Sequence, residues 1–173
     1  FDLSEEQRGR LAPQYEYNES LGMAIRKDGN ALRVGTEFES GGAGLFSTVS
    51  DYILFLNALT HHGTSPDGVR ILSPASVELM RTDHLTGNMR DDFSRVNLKG
   101  YGYGLGVRTH ISKADSGSLS PLGEFGWSGA AGCLAIVDPE SQLTVMYAQH
   151  LLNNQETFVH PRLRNIVYSC LLS

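Results

Sequence analysis

The stretch EFGWSGAAGCLAIVDPESQLTVMYAQ, residues 124–149, constrains this chain more than any other. It reads as three extended runs, at 125–128, 133–137 and 143–148. Asp138, Pro139, Glu140, Ser141 and Gln142 lie between the second and third as turn chemistry: proline fixes φ, and aspartate can bond its own backbone. Gly126, Gly129 and Gly132 leave one edge of the first bend nearly bare. Small residues let a ligand or another backbone approach the main chain closely. Such a hairpin is either a packing device or one wall of a site.

The rest of the chain predicts helices around those strands. Residues 22–35 read as a hairpin with Asp28-Gly29 at its tip. Leu45, Val49, Tyr52, Ile53, Leu56 and Leu59 recur at helical spacing, with Thr48 and Asp51 as a capping box and Gly63 as a stop. A second helix is expected from about residue 74 through His84, with Ser73 as N-cap and Pro74 at its first position. Residues 86–99 read as loop. Residues 101–107, YGYGLGV, alternate as a strand, and 112–123 form a Ser/Gly/Pro loop. A terminal helix over 153–173 is expected to carry Phe158, Leu163, Val167 and Leu171 on one face, with Pro161 near its first turn. The fold class that follows is α+β, an antiparallel sheet packed by helices, in a single domain over 1–173.

Composition narrows the partners. A formal net charge of −5 offers no basic stripe for nucleic acid. No apolar run approaches the roughly 20 residues that span a bilayer. The opening FDLSEEQRGR is acidic and polar, unlike a signal peptide, and lacks an initiator Met, so sequence upstream is expected. Two cysteines, Cys133 and Cys170, make no disulfide framework.

Several motifs suggest chemistry and are better read structurally. Gly41-Gly42-Ala43-Gly44 lacks the Lys and Ser/Thr of a phosphate-binding loop, since Leu45-Phe46 follow. His61 and His62 are adjacent and point apart, so they suit a helix C-terminus better than a metal. No metal and no cofactor is expected. Gly126-Trp127-Ser128-Gly129-Ala130 nearly matches a nucleophile elbow, with Asp138 and His150 following in the right order. An elbow must run from strand into helix, whereas CLAIV and LTVMY follow here. A self-contained esterase with Ser128 as nucleophile is therefore the weaker alternative, beside a noncatalytic binding domain.

Taken in order, GGAGLFSTVSDYILFLNAL, YGYGLGV and GEFGWSGAAGCLAIVDPESQLTVMYAQ resemble the C-terminal half of the penicillin-recognising serine hydrolases. That family comprises class C β-lactamases, D-alanyl-D-alanine carboxypeptidases and related carboxylesterases. The resemblance implies ester, amide or lactam hydrolysis through an acyl-enzyme, on a small-molecule acyl substrate. It places Trp127-Ser128-Gly129 at the family's Lys-Thr-Gly or His-x-Gly triplet, in the Trp-x-Gly form most like the esterase-related members. The backbone amide of Ala130 would then supply half of an oxyanion hole, and Trp127, Ser128 and Gly129 would bind substrate. Donors held on a strand stabilise developing charge without reorganising.

The family's Ser-x-x-Lys pair is missing. Lys27, Lys99 and Lys113 are preceded at three residues by Ala24, Val96 and His110. Ser50-Asp51-Tyr52 fails the Ser-x-Asn pattern at its third place. Both elements normally precede the matching region, so the chain is expected to be a C-terminal half. Such a half should pair with the missing N-terminal half as a separate chain, or self-associate across an exposed sheet.

Overall fold

The computed structural model describes residues 3–29, 40–42, 44–96 and 99–171. Five antiparallel strands form its main sheet: β3 (Tyr101–Tyr103), β4 (Arg108–His110), β5 (Phe125–Ser128), β6 (Leu134–Asp138) and β7 (Leu143–Tyr147), in that spatial order. The two hairpins β5–β6 and β6–β7 follow the expected runs within one or two residues. Asp138 Oδ1 accepts from the Glu140 and Ser141 amides at 3.0 and 3.1 Å, which is the aspartate turn the sequence predicts. The fold is α+β, as expected.

Helices cover both faces of this sheet. On one face α2 (Val49–Thr60) and α3 (Pro74–Arg81) bury Leu56, Leu59 and Val77 against Phe125 and Val137. Thr48 caps α2 by accepting the Asp51 amide, and Ser73 caps α3 by accepting that of Ser76. Helix α3 ends at Arg81, three residues before His84. On the opposite face α6 (Glu156–Ser169) packs Tyr168 and Leu163 on Leu134, Ile136 and Val145. The alternation of β6 divides the two layers, with Val137 facing one and Leu134 and Ile136 the other.

Four expectations need correction. Residues 86–99 are not all loop: α4 spans Asn88–Val96, and Phe93 packs its ring on Tyr103 at 5.5 Å. The strand expected over 101–107 stops at Tyr103, because the Gly104 amide turns back to the Val107 carbonyl at 2.8 Å. The Ser/Gly/Pro loop contains a short helix, α5 (Lys113–Ser116). In α6 the buried residues are His160, Arg164 and Tyr168, whereas Phe158 and Leu171 are exposed and Pro161 sits in the second turn.

A smaller sheet lies apart in the order β2-β1-β8, built from β1 (Tyr15–Asn18), β2 (Met23–Arg26) and β8 (Leu151–Leu152). Its strand β2 is the first arm of the hairpin expected at 22–35 and pairs with β1. The second arm of that hairpin lies outside the described residues, as does Ala43 of the Gly-rich stretch. The start α1 (Glu5–Gly9) carries its own capping box from Ser4 to Gln7. No described helix is long and apolar enough to cross a membrane.

Candidate active site

The first hairpin sets the geometry. Pairing between β4 and β5 ends at Arg108 opposite Gly126, while β5 continues along β6 through Trp127 and Ser128. The edge of β5 beyond Gly126 is therefore open. Gly126 is obligatory here, since a Cβ at that position would collide with the Ala135 carbonyl. At Gly129 a Cβ would make only ordinary contact with Cys133. The chain's own packing thus makes no steric demand for glycine at 129.

The bend after β5 is clamped from one side. Gly129 donates to the Cys133 carbonyl at 2.9 Å, and Gly132 donates to the Gly129 carbonyl at 2.8 Å. The next three carbonyls all bond to the segment after β7. Asn154 Nδ2 donates to Ala130 O at 3.3 Å, the Leu151 amide to Ala131 O at 2.9 Å, and His160 Nε2 to Gly132 O at 2.9 Å. Among the described residues nothing accepts the Ala130 N–H, and Ala130 itself is exposed. A free donor on a backbone fixed by its neighbours can stabilise negative charge without rearranging.

Trp127 and Ser128 border a cavity of about 240 Å³, into which Phe93, Arg108, His160 and Arg164 also project. Trp127 is 42% exposed and sets its ring edge-on against Tyr103 at 5.5 Å. Beneath them lies a charged cluster. Glu124 is fully buried, with its Oε1 at 3.5 Å from Arg108 Nη2 and its Oε2 at 3.5 Å from Arg164 Nε. Tyr101 Oη donates to Glu124 Oε2 at 3.3 Å, and both guanidinium groups lie over the Tyr101 ring. Burial, then the charge of Glu124, pushes the Tyr101 phenol up, so it remains a donor. Burial pushes Arg108 down, and the neighbouring charge of Arg164 adds to this while Glu124 opposes it. His160 is also held low, chiefly by burial, against the opposing pull of its Gly132 bond.

The strand-to-helix geometry of a nucleophile elbow is not met. The residues after Ser128 turn into β6 and not into a helix. Asp138 Oδ2 accepts from Tyr168 Oη at 2.9 Å on the α6 face. His150 bonds Ala12 O at 3.1 Å and Gln14 Nε2 at 3.0 Å. Neither residue is a partner of Ser128. Among the described residues no group of three His, Cys, Asp or Glu side chains could hold a metal.

Of the residues singled out in the sequence, Trp127 and Ser128 line the cavity, while Gly129 and Ala130 follow in the bend beyond it. Sequence reasoning missed Asn154 and His160, which fix the bend, and Arg108, Glu124 and Arg164, which form the charged floor. Opposite charges at Arg108 in β4 and at Glu124, just before β5, were a usable signal. Nothing local marks Arg164.

The beta-lactamase family model matches residues 1–168. The chain belongs to that family. Protein Rv1367c of Mycobacterium tuberculosis is 36% identical over 152 residues, which is 85% of this chain and 38% of that protein. The uncharacterized protein MT1414 of the same organism matches equally. This beta-lactamase family chain thus spans about two fifths of the length of the curated relatives it matches. Among solved structures it resembles simvastatin synthase (LovD) of Aspergillus terreus, in a mutant form, with a TM-score of 0.78 at 21% identity. That match covers 95% of this chain and 44% of the other. EstCE1, a hydrolase with promiscuous acyltransferase activity, gives 0.72 at 19% identity, over 93% and 44%. At such identities these structures support the fold alone. The family match and the fold of these structures agree.

Proposed function

We propose that this chain supplies the oxyanion strand and part of the substrate pocket of a serine hydrolase acting on an ester, amide or lactam. The nucleophilic serine and its base lie in polypeptide outside these 173 residues, paired with this chain. The base takes the serine proton as the serine oxygen attacks the carbonyl carbon, and the carbonyl oxygen takes up the negative charge. The Ala130 amide donates to that oxygen. Collapse of the tetrahedral species expels the leaving group, and water then hydrolyses the acyl-enzyme. Trp127 forms an apolar wall, Ser128 offers a hydroxyl to the substrate, and Gly129 lets the acyl group lie against the strand. The observation that carries this reading is the Ala130 N–H, unpartnered among the described residues on an exposed residue while its surrounding carbonyls are held.

A fluorophosphonate probe tests it. A polypeptide that includes the upstream sequence should label at a serine outside this chain, and Ser128→Ala should slow that labelling without abolishing it. Labelling of the isolated chain at Ser128 would support the self-contained esterase. No labelling of either form would leave a noncatalytic domain.

A further inference from the structure

We propose that Ser116 and His110 form a second nucleophilic site, one that accepts a small acyl group from an activated ester. Helix α5 folds back so closely on Gly100 that a Cβ there would collide with the Ser112 carbonyl and the Ser116 amide. This sets Ser116 Oγ 2.8 Å from Nε2 of His110, the last residue of β4. On the other side of the ring, Nδ1 lies 3.0 Å from the Pro121 carbonyl. A carbonyl can only accept, so Nδ1 carries the proton and Nε2 offers its lone pair. The Ser116 hydroxyl therefore donates to His110, the arrangement of a nucleophile and its general base. His110 is 1% exposed and stacks on Tyr101 at 4.9 Å, which fixes the ring.

The surroundings suit charge separation. Ser120 Oγ lies 3.0 Å from His110 Nδ1 and donates to Glu124 Oε2 at 3.4 Å, so a buried carboxylate stands one hydroxyl away from the imidazolium that the reaction forms. Ser116 is half-buried and lines a cavity of about 110 Å³, bordered also by Lys99, Asp115, Arg164 and Asn165 but by neither Trp127 nor Ser128. The amides of Ser116, Gly117 and Ser118 are all bonded, so α5 supplies no free N–H to an oxyanion. Cations stand in for them: Lys99 makes no hydrogen bond or ion pair among the described residues, and buried Arg164 Nη2 has no partner. The Ser118 amide donates to Ser116 Oγ at 3.1 Å and holds it, leaving one lone pair for attack. Such a cavity is well below the roughly 300–1,000 Å³ of sites for drug-sized ligands, so the acyl group it takes is small.

In the reaction, Ser116 Oγ attacks the ester carbonyl carbon and its proton passes to His110 Nε2. The bond from that carbon to the leaving oxygen breaks, His110 returns the proton to this oxygen, and the acyl group stays on Ser116 as an ester. No step uses Ala130 or the serine outside this chain. The test is p-nitrophenyl acetate on the polypeptide with its upstream sequence, with acetylated residues located by peptide mass spectrometry. An acetyl group on Ser116 is expected. Its position separates this site from the serine proposed upstream, so either reading can fail alone. His110→Gln should slow acetylation of Ser116 by about a hundredfold or more, the usual share of a general base. Since that change disturbs a buried group, Ser116→Cys gives a second measure. The new thiol should be alkylated by iodoacetamide about tenfold faster than Cys170, the exposed thiol of the same chain, because His110 draws off its proton. A Ser116–His110 bond that merely holds α5 in place predicts an unreactive serine and a slow thiol. Acetylation that spares Ser116, or a new thiol no faster than Cys170, overturns the proposal.

Discussion

His160 shows how one side chain ties the candidate site to pH. Its Nε2–H holds the Gly132 carbonyl at 2.9 Å, directly beside the bend that presents Ala130. Burial keeps the folded-state pKa below the ordinary value of 6.5. Above that value the imidazole is neutral in both folded and unfolded chains, and its contribution to stability is fully present. As pH falls through 6.5 the unfolded chain takes up a proton that the folded chain resists, so stability declines. The thermal midpoint should therefore drop on acidification from about pH 8 to about pH 5, and His160→Gln should flatten part of that slope. Identical slopes in both proteins would show that His160 does not sense pH in the fold.

At the scale of elements, α6 carries the least expected arrangement. Its buried stripe runs through His160, Arg164 and Tyr168, spaced by four, and each answers a polar group on or beside the main sheet: Gly132 O, Glu124 and Asp138. Hydrophobic periodicity pointed to Phe158, Leu163, Val167 and Leu171, because it registers apolar side chains and is blind to a polar stripe with distant partners. Tyr168 makes the test. Its hydroxyl donates to buried Asp138, and burial together with the Glu124 and Asp138 carboxylates raises its pKa far above the usual phenol range. Tyr168→Phe should cost about 1–3 kcal/mol in urea unfolding, the usual range when a buried acceptor loses its donor. A change within a few tenths would mean that the Glu140 and Ser141 amides satisfy Asp138 alone. Helices α2 and α3 were legible because their caps and stops are local, at Thr48, Gly63, Ser73 and Pro74. Helix α4 was missed, although Met89, Phe93 and Val96 follow helical spacing, because its polar composition hid three apolar positions.

For the molecule as a whole, surface chemistry bears on the pairing proposed above. Leu45, Leu54 and Phe55 are 71%, 62% and 46% exposed around α2, and β7 has no strand on its outer side among the described residues. All five residues of β7 are only half-buried. Open edges and apolar faces of this kind invite association. The isolated chain should elute from size exclusion as a dimer or larger, with native mass confirming it, and co-expression with its upstream sequence should convert it to a one-to-one complex. A stable monomer that ignores the upstream polypeptide would count against the pairing.

The sequence by itself determined the β5–β6–β7 meander, the Asp138 turn, two capped helices and the placement of Trp127 to Ala130 at one hairpin end. Each of these depends on residues within a few positions of one another, where alternation, capping and turn preferences act. Only the tertiary structure decided that Arg108, Glu124 and Arg164 share a buried cluster, and that Asn154 and His160 hold the bend. Those groups come from separate elements, and what makes them meet is the burial of α6 on the sheet, a long-range packing event whose partners the chain's hydrophobic periodicity does not register.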